Sequence, residues 1–150
     1  MATTITPQSL VVTLSEVITL NGQPINSENS FTVPVVNEID KRILTVPSSE
    51  EISIINLDSA TSAGTFIRSN IRYIRIVNKD STNFVRIRVT VLDNDTFDIK
   101  LEAGKFFIIN NGQENTSDTQ AAFSGFQNYD EIRAQADTAP VDIEYYVASV

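Results

Sequence analysis

A chain of 150 residues with net charge −8, 41% hydrophobic side chains and no histidine, cysteine or tryptophan excludes several functions before any motif is considered. Without cysteine it is not a disulfide scaffold, and without histidine it lacks the commonest general base and metal ligand. Its acidic total opposes nucleic acid as the main partner, because phosphate binding draws on clustered Lys and Arg.

The length suits one domain, residues 1–150, able to bury a core without metal or cofactor. Met1 to Gln8 carries neither the basic start nor the apolar core of a signal peptide. No apolar run approaches the roughly 20 residues that span a bilayer as a helix, so a soluble, unprocessed protein with no membrane partner is expected. Met1 to Gln8 is read either as a frayed terminus or as an assembly arm.

Segments rich in Val, Ile, Phe, Tyr and Thr then recur along the chain, each predicting a strand. They run from Val11 to Leu20, Phe31 to Val36, Ile39 to Val46, Glu51 to Leu57 and Arg72 to Asn78. Further segments run from Phe84 to Leu92, Thr96 to Leu101, Lys105 to Asn110, Asp130 to Ala136 and Val141 to Ala148. In Phe84 to Leu92 the apolar Val85, Ile87, Val89 and Val91 share one face, and Arg86, Arg88 and Thr90 share the other, which is a strand with one wet side. Val141, Ile143, Tyr145 and Val147 repeat the pattern against Asp142, Glu144 and Tyr146. Asn21-Gly-Gln-Pro24, Lys79-Asp-Ser-Thr-Asn83, Asp93-Asn-Asp95 and Ala103-Gly104 supply turns. Only Asp118 to Ala122 offers a helical turn. This spacing predicts an all-β antiparallel sandwich, jelly-roll-like.

Two features bear on contacts. The middle of the chain is basic, with Arg68, Arg72, Arg75, Lys79, Arg86 and Arg88 against Asp80 alone, and the part after Asp93 is acidic. The charges either pair between neighbouring copies or neutralise within the monomer. The connection from Asn110 to Asn128 is long and carries Phe123 and Phe126 among polar residues, either as a partner-binding arm or as a lid over the sandwich. Arg72, Arg75, Arg86, Arg88, Phe123 and Phe126 are therefore the interface candidates.

Chemistry finds little support. Asp93, Asp95 and Asp98 resemble the opening of a calcium loop but lack its glycine and closing glutamate. Glu50-Glu51 and Asp130-Glu131 are adjacent, so strand geometry points each pair to opposite faces. No phosphate-cradling loop, nucleophile elbow or Ser-x-x-Lys is present, and no enzymatic activity, metal or cofactor is expected. Sugar binding would need exposed aromatic platforms. Tyr73 and Tyr145 fall on apolar strand faces, leaving Tyr146 and Tyr129 as outward rings.

The succession of Ile71-Arg-Tyr-Ile-Arg-Ile-Val-Asn-Lys-Asp80, Phe84-Val-Arg-Ile-Arg-Val-Thr-Val91, Leu101-Glu-Ala-Gly-Lys-Phe-Phe-Ile-Ile109 and Val141-Asp-Ile-Glu-Tyr-Tyr-Val-Ala-Ser149 resembles small β-sandwich virion proteins of tailed bacteriophages. The resemblance covers roughly Arg68 to Val150. It implies a protein present in many copies on the particle as a capsid decoration or cement subunit, with the major capsid protein or other virion proteins as partners. A tail, neck or fibre-associated subunit is the alternative within that class, and a glycan- or ligand-binding β-module is the alternative outside it. Homo-oligomerisation is expected. The resemblance transfers no functional residue.

Overall fold

The computed structural model of the protein describes residues 5–92, 95–116 and 125–150. The chain first makes a long hairpin from β1 (Gln8–Glu16), the tip strands β2 (Thr19–Leu20) and β3 (Gln23–Pro24), and the returning β4 (Ser27–Val36). The body follows with β5 (Glu38–Val46), β6 (Ile52–Asp58), the short β7 (Thr65–Ile67), β8 (Ile71–Asn78) and β9 (Val85–Val91). It ends with β10 (Thr96–Leu101), β11 (Phe106–Ile109), the two-residue β12 (Gln113–Glu114), β13 (Gln127–Ala136) and β14 (Val141–Ser149).

Two sheets form the body. One has the order β11-β8-β14-β5; the other has the order β10-β9-β13-β6, with β7 added in parallel on β6 and β12 on β13. Successive long strands cross from sheet to sheet, except β9 and β10, which pair within one sheet. This is the jelly roll, so the protein is an all-β sandwich of that topology. The reason lies in the strand patterns. Val85, Ile87, Val89 and Val91 of β9 and Val141, Ile143, Tyr145 and Val147 of β14 all enter one core together with Ile74, Ile76 and Ile132. Each such side chain contributes about 1.5–3 kcal/mol by leaving water.

Asn78, at the end of β8, is a polar side chain closed to water beside that core. Its Nδ2 donates to the carbonyls of Asn83 (2.9 Å) and Leu101 (3.0 Å), and its Oδ1 accepts from the Asp80 N–H (2.9 Å). One side chain thereby ties a strand of one sheet to the following turn and to the end of β10 in the other. The Asp80 carboxylate closes the turn by accepting from the N–H groups of Asn83 and Thr82, which hold it below the usual carboxylate range.

The hairpin departs from the expected pattern. Val11 to Leu20 is not a strand of the sandwich: β1 starts at Gln8 and stops at Glu16, and Thr19 begins the separate tip. The hairpin keeps one register from Leu10↔Val33 to Leu20↔Gln23 and turns at Asn21 and Gly22, with φ of 50° and 77°, the left-handed pair that an Asn-Gly hairpin turn requires. Its base lies on the outer face of the β11-β8-β14-β5 sheet. There Val33, Val36, Leu10 and Val12 cover Tyr73, Ala148, Ile108 and Tyr146 in a second apolar cluster. Val35 sits at φ 60°, a backbone conformation that a β-branched residue strongly disfavours, beside the bulge between Gln8 and Leu10. Here the hairpin bends into β5.

Gln8, read with the N-terminal arm, is thus the first residue of β1, and Ile5 to Pro7 are exposed. The long connection is narrower than its sequence suggests, because Gln113 and Glu114 pair with Asn128 and Gln127. Phe123 and the helical turn expected at Asp118 to Ala122 lie outside the described residues, as does Asp93.

Candidate functional site

The interface candidates occupy opposite surfaces of the sandwich. Arg86 and Arg88 stand on the wet face of β9. Arg88 makes a two-pronged contact with Asp98 (2.8 and 2.9 Å), and Arg86 bonds Glu51 and Gln135. Glu51 also reaches Arg88 (3.4 Å) and Arg133 (3.6 Å), and Arg133 bonds Glu131 (2.7 Å). The bidentate guanidinium holds the Asp98 carboxyl below its ordinary range. Of the two readings of the uneven charge, neutralisation within the monomer therefore describes this face. It extends further: Arg68 meets Asp130 (2.8 Å), and Arg75 meets Glu144. A calcium loop at Asp95 and Asp98 is opposed by the same geometry, since Asp98 is already committed to Arg88. Among the described residues no group of three or more acids, histidines or cysteines could hold a metal.

Arg75 lies on the other sheet, its guanidinium 5.8 Å from the centre of the Tyr146 ring. It helps line a cleft of about 420 Å³ between that sheet and the β1–β4 hairpin, hereafter the arm, with Leu14, Phe31, Tyr73, Phe106 and Ile108 as apolar walls. The Phe31 and Tyr73 rings are tilted by 53° at 6.1 Å between centres, and Tyr73 meets Tyr146 edge-on at 6.0 Å. Tyr73 is thus buried under the arm on the outside of the sandwich, and Tyr146 is half-covered there. Tyr129, expected to point outward, is buried in the core. Burial, followed by the nearby Glu114 charge, pushes its hydroxyl up to about 12. Tyr145 donates to Asp40 (2.8 Å), and burial with that bond pushes its hydroxyl up to about 12 as well.

Arg72 and Phe126 are the two candidates brought together. Both line a groove of about 760 Å³ with Asn110, Asn111, Gln113 and Asn128. The Arg72 guanidinium is aimed by its bonds to the carbonyls of Ser69 (2.7 Å) and Ile71 (2.9 Å). Amides, a guanidinium and one exposed ring can hold a polar ligand by hydrogen bonds and a face contact.

The surface that sequence reasoning missed is the arm itself. Every residue from Thr13 to Thr32 is exposed, including Leu14, Val17, Ile18, Leu20 and Ile25, with Val17 at 78% and Ile25 at 57%. Alternation was the available signal, but it reads the same in a free ribbon as in a sheet. No protein-family model matches the chain, and no curated protein matches it in sequence. No helix among the described residues is long and apolar enough to cross a membrane.

Proposed function

We propose that the protein is a structural virion subunit of a tailed phage, a capsid decoration or cement protein bound to the major capsid protein. The observation that carries this reading is the contrast between the two outer surfaces: ion pairs close one sheet face on itself, and an apolar arm stands uncovered on the other. Exposed apolar strips of this kind mark protein contacts, and weak contacts repeated over a lattice gain strength by avidity. The likeness of the Arg68 to Val150 strand succession to phage virion sandwiches points the same way. Co-sedimentation with purified empty capsids tests the reading: retention on capsids supports it, and free protein in the presence of excess capsid refutes it.

The groove at Arg72 and Phe126 favours a second reading, a glycan-binding β-module. In that case the isolated protein is retained on a glycan array, and Arg72→Ala with Phe126→Ala abolishes retention. A tail or neck position differs from decoration in copy number on the particle.

A further inference from the structure

We infer that the outer half of the hairpin arm docks on the exposed outer face of β5 in a second copy of this chain. Residues directly opposite in an antiparallel ribbon share a face, and side chains two apart along a strand share it too. The unbroken register therefore places Leu10, Val12, Leu14, Glu16, Ile18 and Leu20 on one face, with Val33, Phe31 and Ile25 from the returning strand. The inner part of this face is already an interface: Leu10, Val12 and Val33 cover the sheet of their own body. Leu14 overhangs the cleft at the edge of that sheet, and beyond it Ile18, Leu20 and Ile25 continue the strip as exposed side chains.

The receiving surface lies at the opposite edge of that sheet. The hairpin base is beside Ile39, and the cleft walls show the ribbon crossing to Phe106 and Ile108 of β11, one edge strand. The other edge strand is β5, whose outward residues include Ile39, Lys41 and Ile43, with Ile43 at 64% exposure. The two strips match in order: Leu14, Glu16, Ile18 on the arm and Ile39, Lys41, Ile43 on β5, each apolar, charged, apolar at two-residue spacing and with opposite charges at the centre. Lys41 is 3.7 Å from Glu144, which also pairs with Arg75, so this row carries one excess positive charge that Glu16 balances. A hollow of about 330 Å³ lined by Leu10, Val36 and Ile39 adjoins the strip. Because the arm leaves at one edge and the strip lies at the other, the contact is head-to-tail and its repetition closes a ring or runs as a filament.

Sedimentation velocity of the full chain over a concentration series tests the contact in solution, independently of any capsid role. The wild type is expected to sediment as a multimer. Ile18→Asp, Ile43→Asp, Glu16→Lys and Lys41→Glu each raise the dissociation midpoint by about tenfold or more; the first three keep melting temperatures near the wild type because these side chains are exposed, whereas Lys41→Glu also gives up the pair with Glu144 and melts lower. Glu16→Lys combined with Lys41→Glu restores the multimer. A wild type that stays monomeric throughout, a multimer indifferent to all four substitutions, or a double variant no better than the singles overturns the assignment.

Discussion

Asn78→Ala puts the sheet-to-sheet tie to a quantitative test. The substitution deletes two donated hydrogen bonds and one accepted hydrogen bond at a site closed to water. At about 1 kcal/mol net for each bond, the loss is about 3 kcal/mol, before any term for the space left behind. For a chain of this length, each kcal/mol moves the melting midpoint by about 2–4 °C, so the variant should melt about 6–12 °C below the wild type. Differential scanning calorimetry at neutral pH reads this directly. Asn78→Asp sharpens the test, because it keeps the acceptor but turns Nδ2, which faces two carbonyls, into a carboxylate oxygen. It should lose more than the alanine variant at neutral pH and recover part of the loss in acid, once the carboxyl protonates and donates. If Asn78→Ala melts within about 2 °C of the wild type, the three bonds do not hold the sheets as argued.

Other expectations follow from the ion pairs, the bend and the titrating groups. Glu51→Gln leaves Arg86, Arg88 and Arg133 without their shared carboxylate and should cost about 1–2 kcal/mol in urea titrations at low salt, with a smaller difference at 1 M salt. Arg86→Glu with Arg88→Glu should likewise lower stability through the monomer's own network, so its particle binding is to be measured only where the variant remains folded. Val35→Asn relieves the left-handed strain at the bend and should raise stability by about 1 kcal/mol; no gain in the melting midpoint counts against a strained bend. Asp80 and Asp98 have depressed pKa values in the fold, so their contribution is present above the unfolded value of about 3.9 and fades as pH falls through their folded values. Removing Asp80 as Asn should flatten the acid limb of a stability-against-pH curve. Tyr129 and Tyr145 are raised to about 12, so stability is whole below the unfolded value of about 10 and declines between that point and 12. Tyr145→Phe should reduce that alkaline slope.

The fold was legible where alternation met two-sided packing. In β9, and from Val141 to Val147 of β14, the apolar parity alone separates core from outer face, and the structure follows it; Ala148 is buried against that parity because the hairpin covers it. Tyr129 points inward, against its strand parity, because the pairing with β9 shifts register between Tyr129 and Glu131: the bulge puts both Tyr129 and Ile132 inside, although three positions apart. In the hairpin arm, one apolar face every second residue predicts a half-covered body strand without specifying what covers it. Its inner half finds its own sheet and its outer half does not, a distinction set by where the body ends. The candidate residues were legible only as types. Arg86 and Arg88 look like a basic patch along the chain, but Glu51 and Asp98 arrive beside them through pairings that no local pattern encodes. Arg72 and Phe126 meet in one groove for the same reason.

The proposed role on the surface of a phage particle is decided by the number of copies bound per purified empty capsid at saturation, read by sedimentation and quantitative densitometry. A decoration subunit saturates at a fixed number of copies for every capsid subunit. Protein that remains in the supernatant at all ratios, or that binds only a few copies per particle, contradicts it.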